Sequence, residues 1–438
     1  MGRVNAAALL TDRYELTMLD AAIQSGTAQR DTVFEVYSRR LNGGRRFGVF
    51  AGMERFLSYL EDFTFGSHEL DALTQMGAVS RDTRDFLTDF SFSGEIFAYQ
   101  EGEPYFPNSP VVTVHAPFAE AVLLETLLLS VLNHDTAIAT AAARMVATAA
   151  NRTVVDFGSR RTHEQAAVAA ARAAYLTGFA GTSNLEAGRR YGIPTVGTSA
   201  HAFTLLFDTE RDAFMAQVDH LGVGTTLLVD TFDVATGVQT ALDVAGTSLG
   251  AIRIDSGDLA VNTQMARRVL DAAGATNTRI VVSGDLDEYR IQTLAGAPID
   301  TFGIGTKLVT GSGVPTAEFV YKMVARQQTV DGPLVPVAKK GGAKATVGGR
   351  KRAARLIKDG LAVAEVLEPF GAPLDEGMVE LQRPCVSGGV VLPSPTLDVL
   401  RAHHREALAT LPADAFLLTP GEPAIPTIDR MTPVTADA

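Results

Sequence analysis

The strongest constraint on this chain is a rhythm that sets in near Thr153. Short β-branched or apolar runs, each ending in small or polar residues, alternate with alanine-rich amphipathic stretches. The runs are TVVDFGSRR, YLTGFAGTSN, IPTVGTSAH, TTLLVDTFD, LGAIRIDSGD, RIVVSGD and DTFGIGTK. Between them lie segments such as EQAAVAAARAAY and DLAVNTQMARRVLDAAG, which carry helix formers at helical spacing. Strands alternating with helices make parallel βα units, and seven such runs over about 155 residues suit a barrel better than an open sheet. In every run the Gly, Ser, Thr, Asp, Arg and His residues gather at the C-terminal end, where a parallel barrel builds its binding face.

This α/β barrel core is expected over residues 151–314. Residues 1–150 mix helices with shorter strands such as TVFEVYSRR and GEIFAYQEGEPYF. Residues 315–438 hold a basic, Gly-rich loop, PVAKKGGAKATVGGRKRAAR, then short strands and one helix near Thr396 to Leu408. The two flanking segments are expected to form a second domain, or two, packed around the barrel. No self-similar period of 20 to 50 residues argues for a solenoid or propeller.

Composition closes off several function classes. A formal net charge of -12 argues against a sequence-independent nucleic-acid binder, which needs a basic stripe to displace counterions. The single cysteine, Cys385, permits neither an intrachain disulfide nor a thiolate zinc cluster. The N-terminus lacks the apolar run of a signal peptide. The segment AVLLETLLLSVL, interrupted by Glu125, reads as a buried helix too short to span a bilayer. A cytoplasmic protein with no membrane partner is the simplest expectation.

Four clusters at strand ends can carry chemistry. GIGTK, Gly303 to Lys307, fits both a phosphate-cradling loop and a simple tight turn, and the neighbouring SGD, Ser283 to Asp285, favours the former. RIDSGD places Arg253 and Asp255 on one strand face, as an anion and ribose site or as a structural ion pair. In DFGSRR, Phe157 can stack on a flat ring while Arg160 meets an anionic substituent; a core Phe followed by a solvated Arg pair fits those residues equally well. GTSAHAF sets His201 at the end of a strand. No second His follows at i+4 and no cysteine is near, so the metal reading is weak, and the residue is an acid, base or phosphoryl acceptor or a packed core histidine. The histidines at 68, 115, 134, 163, 220, 403 and 404 have no comparable setting. The basic loop around Lys340, Lys344 and Lys351 reads as a solvated loop or as a lid over pyrophosphate.

With these residues in view, the sequence resembles the nicotinate phosphoribosyltransferases. The likeness runs from TDRYELTM through FEVYSRR, FAGMERFL, DFGSRR, GTSAH, VDTFD, RIDSGD, SGD and GIGTKLVT to YKMV and the basic loop, in order, over roughly residues 11 to 410. The resemblance implies a type II phosphoribosyltransferase fold: an irregular α/β barrel with a second domain built from both chain ends, working as a homodimer with shared active sites. The implied reaction joins nicotinate to phosphoribosyl pyrophosphate, coupled to ATP hydrolysis and requiring Mg²⁺, in NAD salvage.

By the same resemblance His201 is the residue that ATP phosphorylates, with Thr198 beside it. Tyr14, from the partner subunit, and Phe157 sandwich the pyridine ring, and Arg160 meets its carboxylate. Arg253 and Asp255 lie on the substrate and ribose side. Gly284, Asp285, Gly303, Gly305 and Thr306 surround the ribose 5-phosphate, and Arg39, Lys340 and Lys344 contact pyrophosphate or ATP. No metal ligand is assigned. Ser183 stands where the related nicotinamide enzymes carry an aspartate; a hydroxyl can donate to a carboxylate that an aspartate repels, so acid specificity is expected. Ala141 replaces a lysine frequent in the family. The rival readings are a nicotinamide or quinolinate phosphoribosyltransferase, or a non-catalytic metabolite-binding protein on the same fold.

Overall fold

The computed structural model describes residues 7–339 and 346–431. Two compact units emerge. One comprises Ile138–Gly313, and the other joins the chain up to Ala137 with the chain from Val314 onward.

In the first unit five strands form one parallel sheet. Its order is Thr226–Leu228, Ala251–Ile254, Arg279–Gly284, Thr301–Ile304 and Thr153–Asp156. Single parallel bridges then extend it from Asp156 to Thr182 and from Thr182 to Thr195. Around this ring the staves follow the chain in cyclic order, which is the signature of a βα barrel. Among the described residues no ladder joins Thr195 to Thr226–Leu228, so the ring has one open seam, and His201 belongs to the chain that crosses it. The barrel is therefore irregular.

The runs YLTGFAGTSN and IPTVGTSAH, expected as strands, contribute one bridged residue each, Thr182 and Thr195. Pro194 has no N–H for a ladder. Gly181 presses so close that a Cβ there would stand 2.6 Å from the Pro194 carbonyl oxygen. The five full strands are filled by the branched side chains that suggested them: Val154, Leu227, Ile252, Ile254, Ile280, Val282 and Ile304 are all buried. The two helical segments quoted above form Glu164–Leu176 and Leu259–Ala272. Part of the polarity at the strand ends is local: Asp233, Asp258 and Asp287 each accept hydrogen bonds from backbone N–H groups as N-caps of the following helices.

The second unit holds a seven-stranded antiparallel sheet. In it Asp31–Ser38 pairs with Phe319–Gln327 on one side and Val112–Pro117 on the other, so late and early segments share one sheet. A four-stranded sheet is built on the hairpin Lys351–Lys358 and Leu361–Pro369. The Phe34 and Tyr321 rings stack across the first pair of strands, with centroids 4.5 Å apart.

The apolar run around Glu125 is longer than its sequence suggested. It belongs to a helical segment of 32 residues, Phe118–Ala149, long and apolar enough to cross a membrane by length and composition. Glu125 does not interrupt it: the residue opens the long α-helical part, where a carboxylate suits the positive helix end. Since 67% of its most apolar window is buried inside the protein, the segment is a core helix.

Candidate active site

The C-terminal ends of the barrel strands surround a cavity of about 300 Å³. It is lined by two glycine-rich loops, Ser283–Asp285 and Gly303–Thr306, and by Phe157, Arg160, Arg161, Arg253 and Asp255. Gly303 explains how the Phe157 ring fits, because a Cβ there would lie 2.4 Å from Cε2 of that ring. Arg160 closes the short 3-10 helix Gly158–Arg160 and is exposed to the cavity solvent.

Arg253 is the hub of the site. Its Nε donates to Ser283 Oγ at 2.8 Å, Nη1 to Thr198 Oγ1 at 2.9 Å and to the Ser199 carbonyl at 3.1 Å, and Nη2 to Asp255 Oδ1 at 3.0 Å. Its guanidinium carbon lies 5.4 Å from the centre of the Phe157 ring, within cation–π range. Arg253 and Asp255 are thus an ion pair and cavity-lining groups at once. Burial acts to raise the Asp255 carboxyl, but the hydrogen bonds from Ser283 and Arg253, with the Arg253 charge, outweigh it and hold the group below its ordinary value.

His201 opens the four-residue helix His201–Thr204 with its side chain 40% exposed. Its Nδ1 sits 3.1 Å from Thr231 Oγ1, and Nε2 stands 3.9 Å from Asp230 Oδ1. Asp230 is buried; its Oδ2 accepts from Asp255 N at 2.8 Å and from Ser256 Oγ at 2.6 Å, while Oδ1 has no hydrogen-bond partner among the described residues. The carboxylate is therefore bonded to the Arg253–Asp255 strand end and stands near the His201 ring without bonding it. Glu210 is buried, its Oε1 without a hydrogen-bond partner among the described residues, and burial followed by the charges of Asp230 and Asp233 pushes it up to about 6. Sequence reasoning singled out neither Asp230 nor Glu210. Asp230 lies in the quoted run VDTFD, and its place at a strand end was the available signal.

Thr198 and Ser183 do not line the cavity: Thr198 joins the hub through Arg253, and the Ser183 N–H donates to the carbonyl of Asp156, the residue before Phe157, at 2.8 Å. Ala141 is fully buried in the helix Glu125–Ala149, so no cation stands there. Tyr14 and Arg39 belong to the other unit. Tyr14 is 44% exposed on helix Arg13–Gln24, where Met18 one turn on is also exposed, as is Leu10 in the bend before the helix, and its hydroxyl is pushed up to about 12 by burial and by Glu125 and Glu15. The Arg39 guanidinium carbon lies 6.0 Å from the Tyr37 ring centre, and its buried Nε has no hydrogen-bond partner among the described residues. Lys340 and Lys344 lie outside the described residues.

Two sequence expectations are corrected here. Lys351 is no loop cation. It begins a strand with its side chain buried, and its Nζ donates to Glu35 Oε2 at 2.8 Å, the Val347 carbonyl at 2.8 Å and the Gly349 carbonyl at 3.1 Å. All three ammonium donors are spent inside the fold. His404, left as ordinary, is buried with Nδ1 2.7 Å from the Gly102 carbonyl, and burial pushes it down to about 4.

Among the described residues no group of three His, Cys, Asp or Glu side chains is placed to hold a metal ion. Asp255 and Asp285 both face the cavity, a donor set that suits Mg²⁺ held chiefly by substrate phosphates.

Comparison with known proteins follows the same lines. Residues 9–133 match the model of the nicotinate phosphoribosyltransferase (NAPRTase) N-terminal domain, and residues 153–355 that of the nicotinate phosphoribosyltransferase (NAPRTase) family. The chain is 54% identical to nicotinate phosphoribosyltransferase pncB1 of Mycobacterium tuberculosis, across 96% of this chain and 95% of the relative. It is 39% identical to the nicotinate phosphoribosyltransferase of Bacillus subtilis, across 81% and 74%. Among solved structures, human nicotinic acid phosphoribosyltransferase superposes with a TM-score of 0.82 at 25% identity, covering 94% of this chain and 96% of that one. A nicotinate-nucleotide pyrophosphorylase from Pyrococcus furiosus shares the fold, with a TM-score of 0.77 at 23% identity and coverage of 95% and 98%.

Proposed function

The chain belongs to the nicotinate phosphoribosyltransferase family, and we propose that the cavity at its barrel mouth joins nicotinate to phosphoribosyl pyrophosphate with ATP hydrolysis coupled to the reaction. The activity places it in NAD salvage. The observation that supports the site reading is the cavity itself, where an aromatic ring, three arginines and two glycine-rich loops line a space of small-substrate size.

In this reading the pyridine ring stacks on Phe157 and its carboxylate meets Arg160. The 5-phosphate of the ribose lies against the backbone of Gly284, Asp285, Gly303, Gly305 and Thr306. The ring nitrogen gives its lone pair to the anomeric carbon as the bond to pyrophosphate breaks and the leaving oxygen takes the electron pair. Holding nitrogen and carbon in line supplies much of the rate, and no protein nucleophile is needed. Asp255, held ionised, faces the ribose as it gains positive charge. Asp255 and Asp285 would hold a Mg²⁺ ion, which when bound would supply charge neutralisation on the leaving pyrophosphate.

His201 takes the γ-phosphoryl group of ATP on a ring nitrogen, releasing ADP, and water later removes it as phosphate. Its exposed ring supports this role, as does the Asp230 oxygen beside Nε2. Arg39, Lys340 and Lys344 contact pyrophosphate or ATP. A homodimer with shared sites accounts for the exposed stripe of Leu10, Tyr14 and Met18, which a second copy covers as Tyr14 closes on the pyridine. The enzyme works in the cytoplasm.

The test measures pyrophosphate release with nicotinate or nicotinamide, each with and without ATP, for the wild type and His201→Ala. Release that depends on nicotinate and is raised by ATP only when His201 is present is expected. Stimulation by ATP that survives His201→Ala removes the phosphohistidine role, and release preferring nicotinamide removes the acid specificity.

A further inference from the structure

We propose that Asp156 is a positioning residue for pyridine recognition, holding Arg160 and Ser183 at a fixed spacing; this rests on the site reading above. Asp156 ends the strand Thr153–Asp156, is 1% exposed, and does not line the cavity. A buried carboxylate needs donors, and its two oxygens find them on different loops. Oδ1 accepts from Gly158 N at 2.7 Å, in the turn that carries Phe157 and Arg160. Oδ2 accepts from Thr182 Oγ1 at 2.6 Å, in the run that carries Ser183.

The backbone repeats the connection. Asp156 N donates to the Gly181 carbonyl at 3.0 Å, and Ser183 N donates to the Asp156 carbonyl at 2.8 Å. The Thr182 hydroxyl, while donating to Asp156, accepts from Asn184 N at 3.0 Å, and the Asn184 amide donates to Ser159 Oγ at 3.2 Å. Every polar group of Asp156 thus joins the two segments expected to read the pyridine substituent. Its side chain accepts from Gly158 and Thr182, neither of which belongs to the phosphate loops Ser283–Asp285 and Gly303–Thr306. Burial pushes the carboxyl up, and the Thr182 hydroxyl and Gly158 N–H work against that shift, so both donors matter to its charge state.

An amide at this position can still accept from Gly158, but its NH₂ faces a hydroxyl that must then turn its hydrogen away. The spacing of the two loops changes while the phosphate site stays intact. The experiment compares KM for nicotinate, KM for phosphoribosyl pyrophosphate and kcat in Asp156→Asn, Thr182→Val, Thr182→Ser and Arg160→Gln, with nicotinamide as competing substrate. Asp156→Asn and Thr182→Val are each expected to raise the nicotinate KM about tenfold or more. They are also expected to narrow the preference over nicotinamide, to change the phosphoribosyl pyrophosphate KM less than about twofold, and to lose additivity when combined. Thr182→Ser, which keeps the hydroxyl, restores the wild-type nicotinate KM. If Arg160→Gln raises the nicotinate KM but the Asp156 and Thr182 variants shift both substrates alike or neither, the positioning role is overturned and the site reading stands. If Arg160→Gln leaves nicotinate unaffected, both fall. Should Asp156→Asn not fold, the Thr182 pair decides by the same criteria.

Discussion

Gly303→Ala tests where the aromatic platform lies. Gly303 sits in the strand Thr301–Ile304, paired with Val155 on one side and Ser283 on the other. The new methyl would stand 2.4 Å from Phe157 Cε2, 2.5 Å from its Cδ2 and 3.3 Å from Ser283 Cβ. Carbon atoms rest at about 3.5–4.0 Å, so the ring must retreat by roughly 1 Å. The backbone itself does not object, since Gly303 is absent from the positive-φ glycines and the strand gains about 0.5–1 kcal/mol from the lost glycine entropy. Overpacking costs about 1–3 kcal/mol, so the net loss of stability is expected to stay near about 2 kcal/mol or below. Catalysis is far more sensitive, because a 1 Å misplacement costs up to about a hundredfold. Steady-state pyrophosphate release with nicotinate varied, run beside thermal melting, should show kcat/KM falling about 10- to 100-fold in a folded enzyme. An unchanged nicotinate kcat/KM in a protein that melts like the wild type would refute the placement of the ring against Gly303 and its role as the stacking surface.

Other outcomes follow from the same geometry. Ser183→Asp should shift preference from nicotinate towards nicotinamide in a competition assay; a variant that keeps its preference for the acid counts against the hydroxyl argument. Glu210, raised from about 4.5 to about 6, favours the folded state when protonated, so its contribution is present below pH 4.5 and is lost as pH rises through about 6. That shift corresponds to roughly 2 kcal/mol, and chemical denaturation at pH 5 and pH 7.5 should show Glu210→Gln to be the more stable protein only at the higher pH. Glu35→Ala leaves the buried Lys351 ammonium without its carboxylate and should cost about 3–5 kcal/mol of unfolding free energy in a denaturant titration. A loss below about 1 kcal/mol would mean that the pair is solvated.

Much of the catalytic unit was legible because branched residues and alanine-rich helices obey local rules. Val154, Ile252 and Ile280 announce strands wherever they occur, and the glycines and aspartates behind them announce turns and caps. What stayed hidden depends on distant partners. Pro194 and Gly181 look strand-compatible in isolation, yet one lacks a donor and the other is crowded, so their runs pair through single bridges. Lys351 shares its composition with the loop before it, and only the buried Glu35 from far up the chain makes it a core residue. Asp230 looked like one acid among many in the sequence. Its position under His201 and Asp255 arises because three different strand ends converge. Charge and motif reveal which groups are available, while burial decides which are free to act.

The gap in the ring of staves has a consequence for amide exchange. A fully closed barrel has no edge and resists local opening everywhere about equally. Here Thr301–Ile304 is bonded on both sides, whereas Thr226–Leu228 is a free edge and Thr195 is held by one bridge. Opening between them breaks no ladder, so the chain from Gly197 to Thr204 can yield at lower free energy than the sheet centre. Deuterium should therefore enter the histidine-bearing segment well before Phe302 or Val154. Among the described residues, His201 thus stands on a part of the barrel wall that can move without unstitching the rest.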